Sequence, residues 1–299
     1  MKKKFLAVVA AMVITTLAFT GCGSSNDSET SKATDGAATE ATGITGAINV
    51  VSREDGSGTR GAFVELMGVV DEEENDITVD TAEITNSTSV MLQTVAQNEK
   101  AIGYVSLGSL STDVKAVQVD GVDATADNVK AGTYKVSRPF NICYKEDKLT
   151  DLDKDFIKFI MSEEGQQIVG EEGYISLEPE GAYEGKDNSG KITLAGSTSV
   201  APLMNVLADA YKAKNPDVTI EIQESGSSAG IQSAIEGATE IGMSSRDLKD
   251  EEAAELTSKQ IAMDGIAVIV NNNNSISNLT SEQIQKIYTG EITDWADVQ

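Results

Sequence analysis

The stretch Val50-Val51-Ser52-Arg53-Glu54-Asp55-Gly56-Ser57-Gly58-Thr59-Arg60 decides how the chain is read. Two valines close a strand, a charged step follows, and a Gly-Ser-Gly-Thr turn leads into an apolar-periodic run from Ala62 to Met67 that reads as a helix. At a helix start the first backbone N–H groups lack intrahelical partners, and the helix dipole favours negative charge. Gly56 and Gly58 let the backbone come close to a bound group, Ser57 and Thr59 offer hydroxyls, and Arg53 offers a planar fork suited to a tetrahedral oxyanion. Two readings fit: an anion clamp, or a helix capped after a tight turn.

The same grammar returns three times. Lys191 to Ala195 reads as a strand, and Gly196-Ser197-Thr198-Ser199 opens a helix that runs through Pro202 to Lys214. Val218 to Gln223 runs into Glu224-Ser225-Gly226-Ser227-Ser228-Ala229-Gly230 and a helix from Ile231, and Glu240-Ile241-Gly242-Met243-Ser244-Ser245-Arg246 is a fourth instance. Singly, each is an ordinary strand-to-helix turn with a serine cap. In an open α/β sheet, however, strand carboxyl ends share one edge, so four such turns can converge on one crevice. Convergent N–H groups, hydroxyls and arginines are what a desolvated oxyanion requires.

Outward from these turns, the hydroxyl-rich run Glu83 to Val90 caps a helix containing Met91 and Val95, and Ala101 to Leu107 and Val114 to Val119 read as strands. Asp127 to Lys130 is a short helix, Tyr134 to Tyr144 a long strand and Asp151 to Val169 a packed helix. Pro139 marks an edge position or a crossing within its strand. Ile261 to Val270 is an apolar strand with Asp264-Gly265 inside it, explained by a bend or by a β-bulge. Leu279 to Tyr288 is the last helix.

Residues 1–21 carry Lys2, Lys3 and Lys4, an apolar core and small residues before Cys22, which is the pattern of an export leader. It resembles a bacterial lipoprotein signal with Cys22 as the lipidated residue. Residues 22–45 are Ser, Thr, Ala, Gly and acidic side chains with little to bury, a flexible tether reaching roughly 25–30 Å. With Cys22 lipidated, Cys143 is the only thiol left and reads as a small buried hydrophobe. The chain has no histidine, which removes Ser-His-Asp and Cys-His catalysis and the usual zinc ligands; no metal site is expected. A formal charge of −25 makes nucleic acid an improbable partner, and it requires any anion site to work by short-range hydrogen bonds in a closed cleft.

Eight motifs together resemble the phosphate-binding proteins of bacterial phosphate ABC importers, receptors of the periplasmic-binding-protein-like class. They are Ala195-Gly-Ser-Thr-Ser-Val-Ala-Pro202, Gly226-Ser-Ser-Ala-Gly230, Ile241-Gly-Met-Ser-Ser-Arg246, Ala262-Met-Asp-Gly265, Tyr288-Thr-Gly-Glu-Ile-Thr-Asp-Trp295, the Ser52–Arg60 stretch, Ala101-Ile-Gly-Tyr-Val-Ser106 and Ser137-Arg-Pro-Phe140. The resemblance implies an α/β, two-lobed fold of type II-like pattern, each lobe a mixed sheet flanked by helices and two crossover segments forming a hinge. Their order departs from the family, in which the Gly-Ser-Thr-Ser block comes first. A circular permutation explains this, with the usual termini joined through Gly181–Gly190; a piece of a tandem array is the alternative. Permutation predicts that Gly46 and Gln299 lie close together. It also divides the chain into lobe A, residues 46–136 plus 267–299, and lobe B, residues 137–266.

Carried over motif by motif, the resemblance implies that Arg53, Ser57, Gly58, Thr59, Thr198, Ser199, Ser227 and Ser245 surround phosphate. Asp55 would orient Arg53, with Arg246 and Asp264 as further supports. Well-known family members carry a proton-accepting aspartate where this chain has Ser245, whose hydroxyl can still accept but would refuse a fully deprotonated oxyanion less strongly; Asp55 or Asp264 could supply the acceptor instead. The implied function is an extracytoplasmic receptor, monomeric and held to the cell membrane by lipidated Cys22, that delivers inorganic phosphate to ABC permease subunits without a cofactor or catalytic residue. A binder or sensor of another oxyanion, and a phosphate-ester hydrolase, are the alternatives.

Overall fold

Caps written in the sequence set the helix limits. The computed structural model describes residues 43–185 and 187–298, so the leader, Cys22, most of the tether and Gln299 lie outside the described residues. Strand β1 (Asn49–Arg53) leads into helix α1 (Gly58–Met67), which starts on the Ser57 hydroxyl and stops where Gly68 turns left-handed at φ 67°. Then follow β2 (Glu83–Thr85), α2 (Thr88–Gln97), β3 (Ala101–Ser106), β4 (Val114–Ala116), β5 (Gln118–Val119) and α3 (Ala126–Lys130).

Strand β6 (Ser137–Tyr144) starts three residues later than the sequence pattern suggests. The expected helix over 151–169 is two, α4 (Asp151–Ile160) and α5 (Glu163–Glu171). The Ser162 hydroxyl breaks the run: it donates to Phe159 O at 2.7 Å and accepts from Gly165 N at 3.2 Å, capping the second helix. The remainder comprises β7 (Ser189–Gly196), α6 (Ala201–Lys214), β8 (Asp217–Glu224), α7 (Ser227–Glu236), β9 (Ile241–Ser244), α8 (Asp250–Ala253), β10 (Thr257–Asn271), β11 (Asn278–Leu279) and α9 (Ser281–Tyr288).

Residues 42–299 form one compact unit organised on β10. The sheet order is β2-β1-β3-β10-β6-β9-β7-β8, with β4 also on β10 and a separate β11-β5 pair. Through Gly265, β10 pairs antiparallel with β6; from Ile266 it pairs with β3. The irregularity in β10 falls between Gln260 and Ala262, so Gly265 marks the change of partner and not a bulge. Pro139 faces Met263, whose backbone N–H and C=O both bond to Ile175. The proline nitrogen therefore points away from β10, toward a side that β9 covers only at residues 141–143.

The two halves of β10 serve different cores. Phe140, Ile142, Phe156, Phe159, Leu203 and Tyr211 build one, with Ile261 and Ala262 from β10. Phe63, Tyr104, Tyr134, Tyr288 and Trp295 build the other, with Ile266, Val268 and Val270. Ala267 and Ile269 point to the opposite face, against Val51, Met91 and Val95. Burial on both faces explains why this strand reads as an unbroken apolar run. Cys143 is buried, as expected, and burial pushes its thiol up to about 12.

Candidate functional site

Five strand ends deliver the candidate site. β7, β8 and β9 run parallel or in register with one another and end at Gly196, Glu224 and Ser244; β1 and the parallel β2 end at Arg53 and Thr85. The turns after them meet. Thr59 Oγ1 lies 2.8 Å from Ser199 Oγ, Arg53 Nη2 donates to Thr198 Oγ1 at 3.0 Å, and Ser228 N donates to Gly56 O at 3.0 Å. On the far side, Ser245 Oγ lies 2.9 Å from Ser197 Oγ and 3.3 Å from Ser227 Oγ, and its backbone N–H donates to Ser227 Oγ at 3.1 Å.

Gly58 is required by close approach. A Cβ there would stand 2.4 Å from Ser227 Oγ and 2.7 Å from Ser245 Oγ, inside any real contact. The start of α1 can therefore face those serines only without a side chain. Ser227 opens α7 but does not cap it; Gly226, at φ 86°, holds the cap position and leaves the serine hydroxyl to Ser245. Ser57 sits in the same turn, with its hydroxyl accepting from Arg60 N as the cap of α1.

Arg53 is 2 % exposed and anchored on every side. Its backbone N–H donates to Tyr104 Oη at 3.2 Å, and Tyr104 stacks on Phe63 at 4.0 Å. Burial pushes that phenol up to about 12, so it stays protonated and also bonds Ser52 Oγ at 2.8 Å. The guanidinium gives Nε and Nη2 to the two Glu54 oxygens, both at 2.8 Å. This corrects the expectation for Asp55. Asp55 is almost fully exposed and bonds Arg60 Nη1 at 2.8 Å, while Arg60 also donates to Arg53 O at 3.0 Å and pairs with Asp76. Glu54 orients Arg53 because its side chain leaves the strand end toward the guanidinium, whereas Asp55 already lies in the turn.

The other two supports are also located. Arg246 is held bidentate by Glu252 and donates to Ser228 Oγ at 3.1 Å, which keeps it at the rim. Asp264 Oδ2 accepts from Arg138 Nη2 at 3.1 Å, and Arg138 Nη1 donates to Ser245 O at 3.2 Å. Asp264 is thus joined to the Ser245 carbonyl through Arg138.

Three residues of the cluster lie outside the sequence-derived set. Thr88 Oγ1 lies 3.2 Å from both Thr198 Oγ1 and Ser199 Oγ and 3.5 Å from Arg53 Nη1. Its hydroxyl-rich run reads as a cap, yet Ser87 does the capping and Thr88 turns inward. Ser197 caps the turn into α6 and bonds Ser245. Arg138 belongs to the Ser137-Arg-Pro-Phe140 motif, which spacing alone ties to no ligand. Among the described residues no group of acidic, cysteine or histidine side chains is arranged to hold a metal.

The chain is similar to known proteins. A model of the PBP superfamily domain matches residues 25–164 and 181–299. The chain is 48 % identical to the phosphate-binding protein PstS 2 of Streptococcus agalactiae serotype V over 98 % of its own length and 96 % of that protein's. It is 43 % identical to the phosphate-binding protein PstS 2 of Streptococcus pneumoniae serotype 4, end to end on both. Among solved structures, a phosphate-binding protein of a phosphate ABC transporter from Streptococcus pneumoniae TIGR4 is 46 % identical, with a TM-score of 0.69 over 85 % of this chain and all of that one.

Proposed function

The chain belongs to the PBP superfamily, and from that premise we propose that it captures inorganic phosphate in the Arg53–Ser245 cluster and delivers it to an ABC permease. The observation that carries this reading is the two-sided cluster. Arg53, Gly58 and Thr59 meet Thr198, Ser199, Ser227 and Ser245 across elements built on two separate cores. Donors converging from both sides suit a tetrahedral oxyanion, which offers oxygens in every direction. Thr88 and Ser197 complete the shell, and Glu54, Arg138 and Arg60 hold it.

The lobes follow from the same cores, with residues 46–136 and 267–299 on one side and 137–266 on the other, and with β6 and β10 as the crossings. Circular permutation is supported at the junction it predicts: Gly46 N donates to Asp294 Oδ1 at 2.8 Å, Trp295 N to Gly46 O at 3.1 Å, and Ile48 N to Thr293 O at 2.8 Å. Lipidation at Cys22, with a tether that lets a monomer meet its permease at the membrane, fits the leader pattern. Binding without turnover fits the chemistry of the cluster, where hydroxyls bond to one another and to Arg53, and the chain has no histidine to act as base.

Calorimetric titration of protein freed of bound ligand tests the reading. Saturable heat with phosphate is expected, and sulfate in the same cell measures how far Ser245 relaxes the demand for a protonated anion. No heat with phosphate would defeat it.

A further inference from the structure

Behind the hydroxyl cluster lies a second buried assembly. Arg138 on β6 and Asp264 on β10 face each other in register, next to Gly265 where β10 changes partner. Their side chains are 2 % and 1 % exposed. Tyr174, Ser106 and Ser109 gather around the pair: Ser106 reaches both Asp264 and Tyr174, Ser109 reaches Tyr174, and these contacts fall short of full hydrogen-bond geometry. The pair touches the site through the Arg138 bond to Ser245 O, and Ser245 in turn bonds Ser197 and Ser227.

Resting on the phosphate reading above, we propose that Arg138 and Asp264 form a positioning pair for the anion. Arg138 fixes Ser245 from behind, and gain or loss of a proton at Asp264 sets how much of the Arg138 charge the bound anion feels.

The surroundings of Asp264 favour such a change. Arg138 faces it from β6, Tyr134 from the segment before β6, and Tyr174 from the segment after α5. Ser106 and the Gly108 N–H face it from the end of β3. Arg53 is near enough to act on Arg138 in its turn. Burial pushes the Asp264 carboxyl up to about 6, against the opposing pull of Arg138. Hydrogen bonding from Ser106 and the Gly108 N–H pulls the same way as Arg138, and burial outweighs all three. With a proton on Asp264, the positive charge behind Ser245 is no longer offset, so an anion at Ser227 and Ser245 is held more tightly. By linkage, the anion must strengthen the hold of Asp264 on its proton to the same degree.

Phosphate titrations of the full chain between pH 5 and 8, in wild type and in Asp264→Asn, separate this effect from the ionisation of phosphate itself, which both proteins share. The neutral amide stands for the protonated acid. The affinity ratio of the two proteins should change about three- to tenfold across the range, as a shift of half to one pKa unit implies, with Asp264→Asn tighter at pH 8 and the two converging at pH 5. Parallel profiles would overturn the pair alone, whereas no binding at any pH would remove the phosphate reading and this inference with it. Should the variant fail to fold, the Asp264 carboxyl carbon can be titrated by NMR in the wild type. Its midpoint should rise on adding phosphate, and an unmoved midpoint overturns the proposal.

Discussion

Arg53 and Arg138 are equally buried, each carries one carboxylate, and both touch the hydroxyl cluster, Arg53 at the Thr88 and Thr198 hydroxyls and Arg138 at the Ser245 carbonyl. Their partners differ in access to water. The Glu54 side chain is 25 % exposed, and every nitrogen of the Arg53 guanidinium has a partner. The Asp264 side chain is 1 % exposed, and Arg138 Nε has none. A carboxylate at the rim keeps its hydration and can hold an arginine in place while the fork still meets a ligand. A carboxylate sealed between β6 and β10 is penalised when charged, so it keeps its proton to a higher pH than an exposed one. The first arrangement suits contact with an anion that comes and goes, the second a fixed charge that tunes the site from behind.

Removing Arg53 should give the largest effect. Arg53→Ala is expected to weaken phosphate binding by about 3 kcal/mol, on the order of a hundredfold, because charge-assisted bonds to a desolvated anion are lost. Stability should change much less, since Glu54 can return to water. Unchanged affinity in the same titration would show that Arg53 stands outside the site.

The acid limb of stability comes next. Asp264 has a folded pKa above its ordinary 3.8, so its contribution is fully present below about pH 4 and is lost as pH rises through about 6. Relative to Asp264→Asn, the wild type should therefore gain on the order of 2 kcal/mol between pH 7 and pH 4. Urea unfolding of both proteins across that window measures it, and a constant difference would mean that Asp264 titrates normally.

The smallest effect belongs to Asp55. Exposed and bonded to Arg60, it should cost less than about 0.5 kcal/mol in phosphate affinity when replaced by Ala, whereas Glu54→Gln should cost more. A reversed order in a paired titration would return the orienting role to Asp55.

Much of this was legible in the chain. Four turns of one pattern, their hydroxyls and the Arg53 fork are local features, and a turn fixes its own residues wherever the fold carries it. The departure in motif order leads to the expectation that Gly46 and Gln299 lie close together; Gln299 lies outside the described residues, and Gly46 bonds Asp294. Helix limits were less legible. Asp151 to Val169 keeps one apolar period across the Ser162 break, and only the Ser162 hydroxyl bonds to Phe159 O and Gly165 N show that two helices stand there.

By itself, then, the sequence determined the kind of site: hydroxyls and backbone N–H groups at helix starts, one arginine, no histidine and a family with a two-lobed fold. Tertiary structure alone decided who meets whom. Glu54 and Asp55 are neighbours of like chemistry, and the one-residue difference in where the strand ends sends one to Arg53 and the other to Arg60. Thr88 joins Thr198 and Ser199 across more than a hundred residues, and Arg138 meets Asp264 because β6 and β10 pair in register. Spacing constrains residues that share an element, whereas contacts between elements depend on register, side-chain direction and the water excluded when two cores come together.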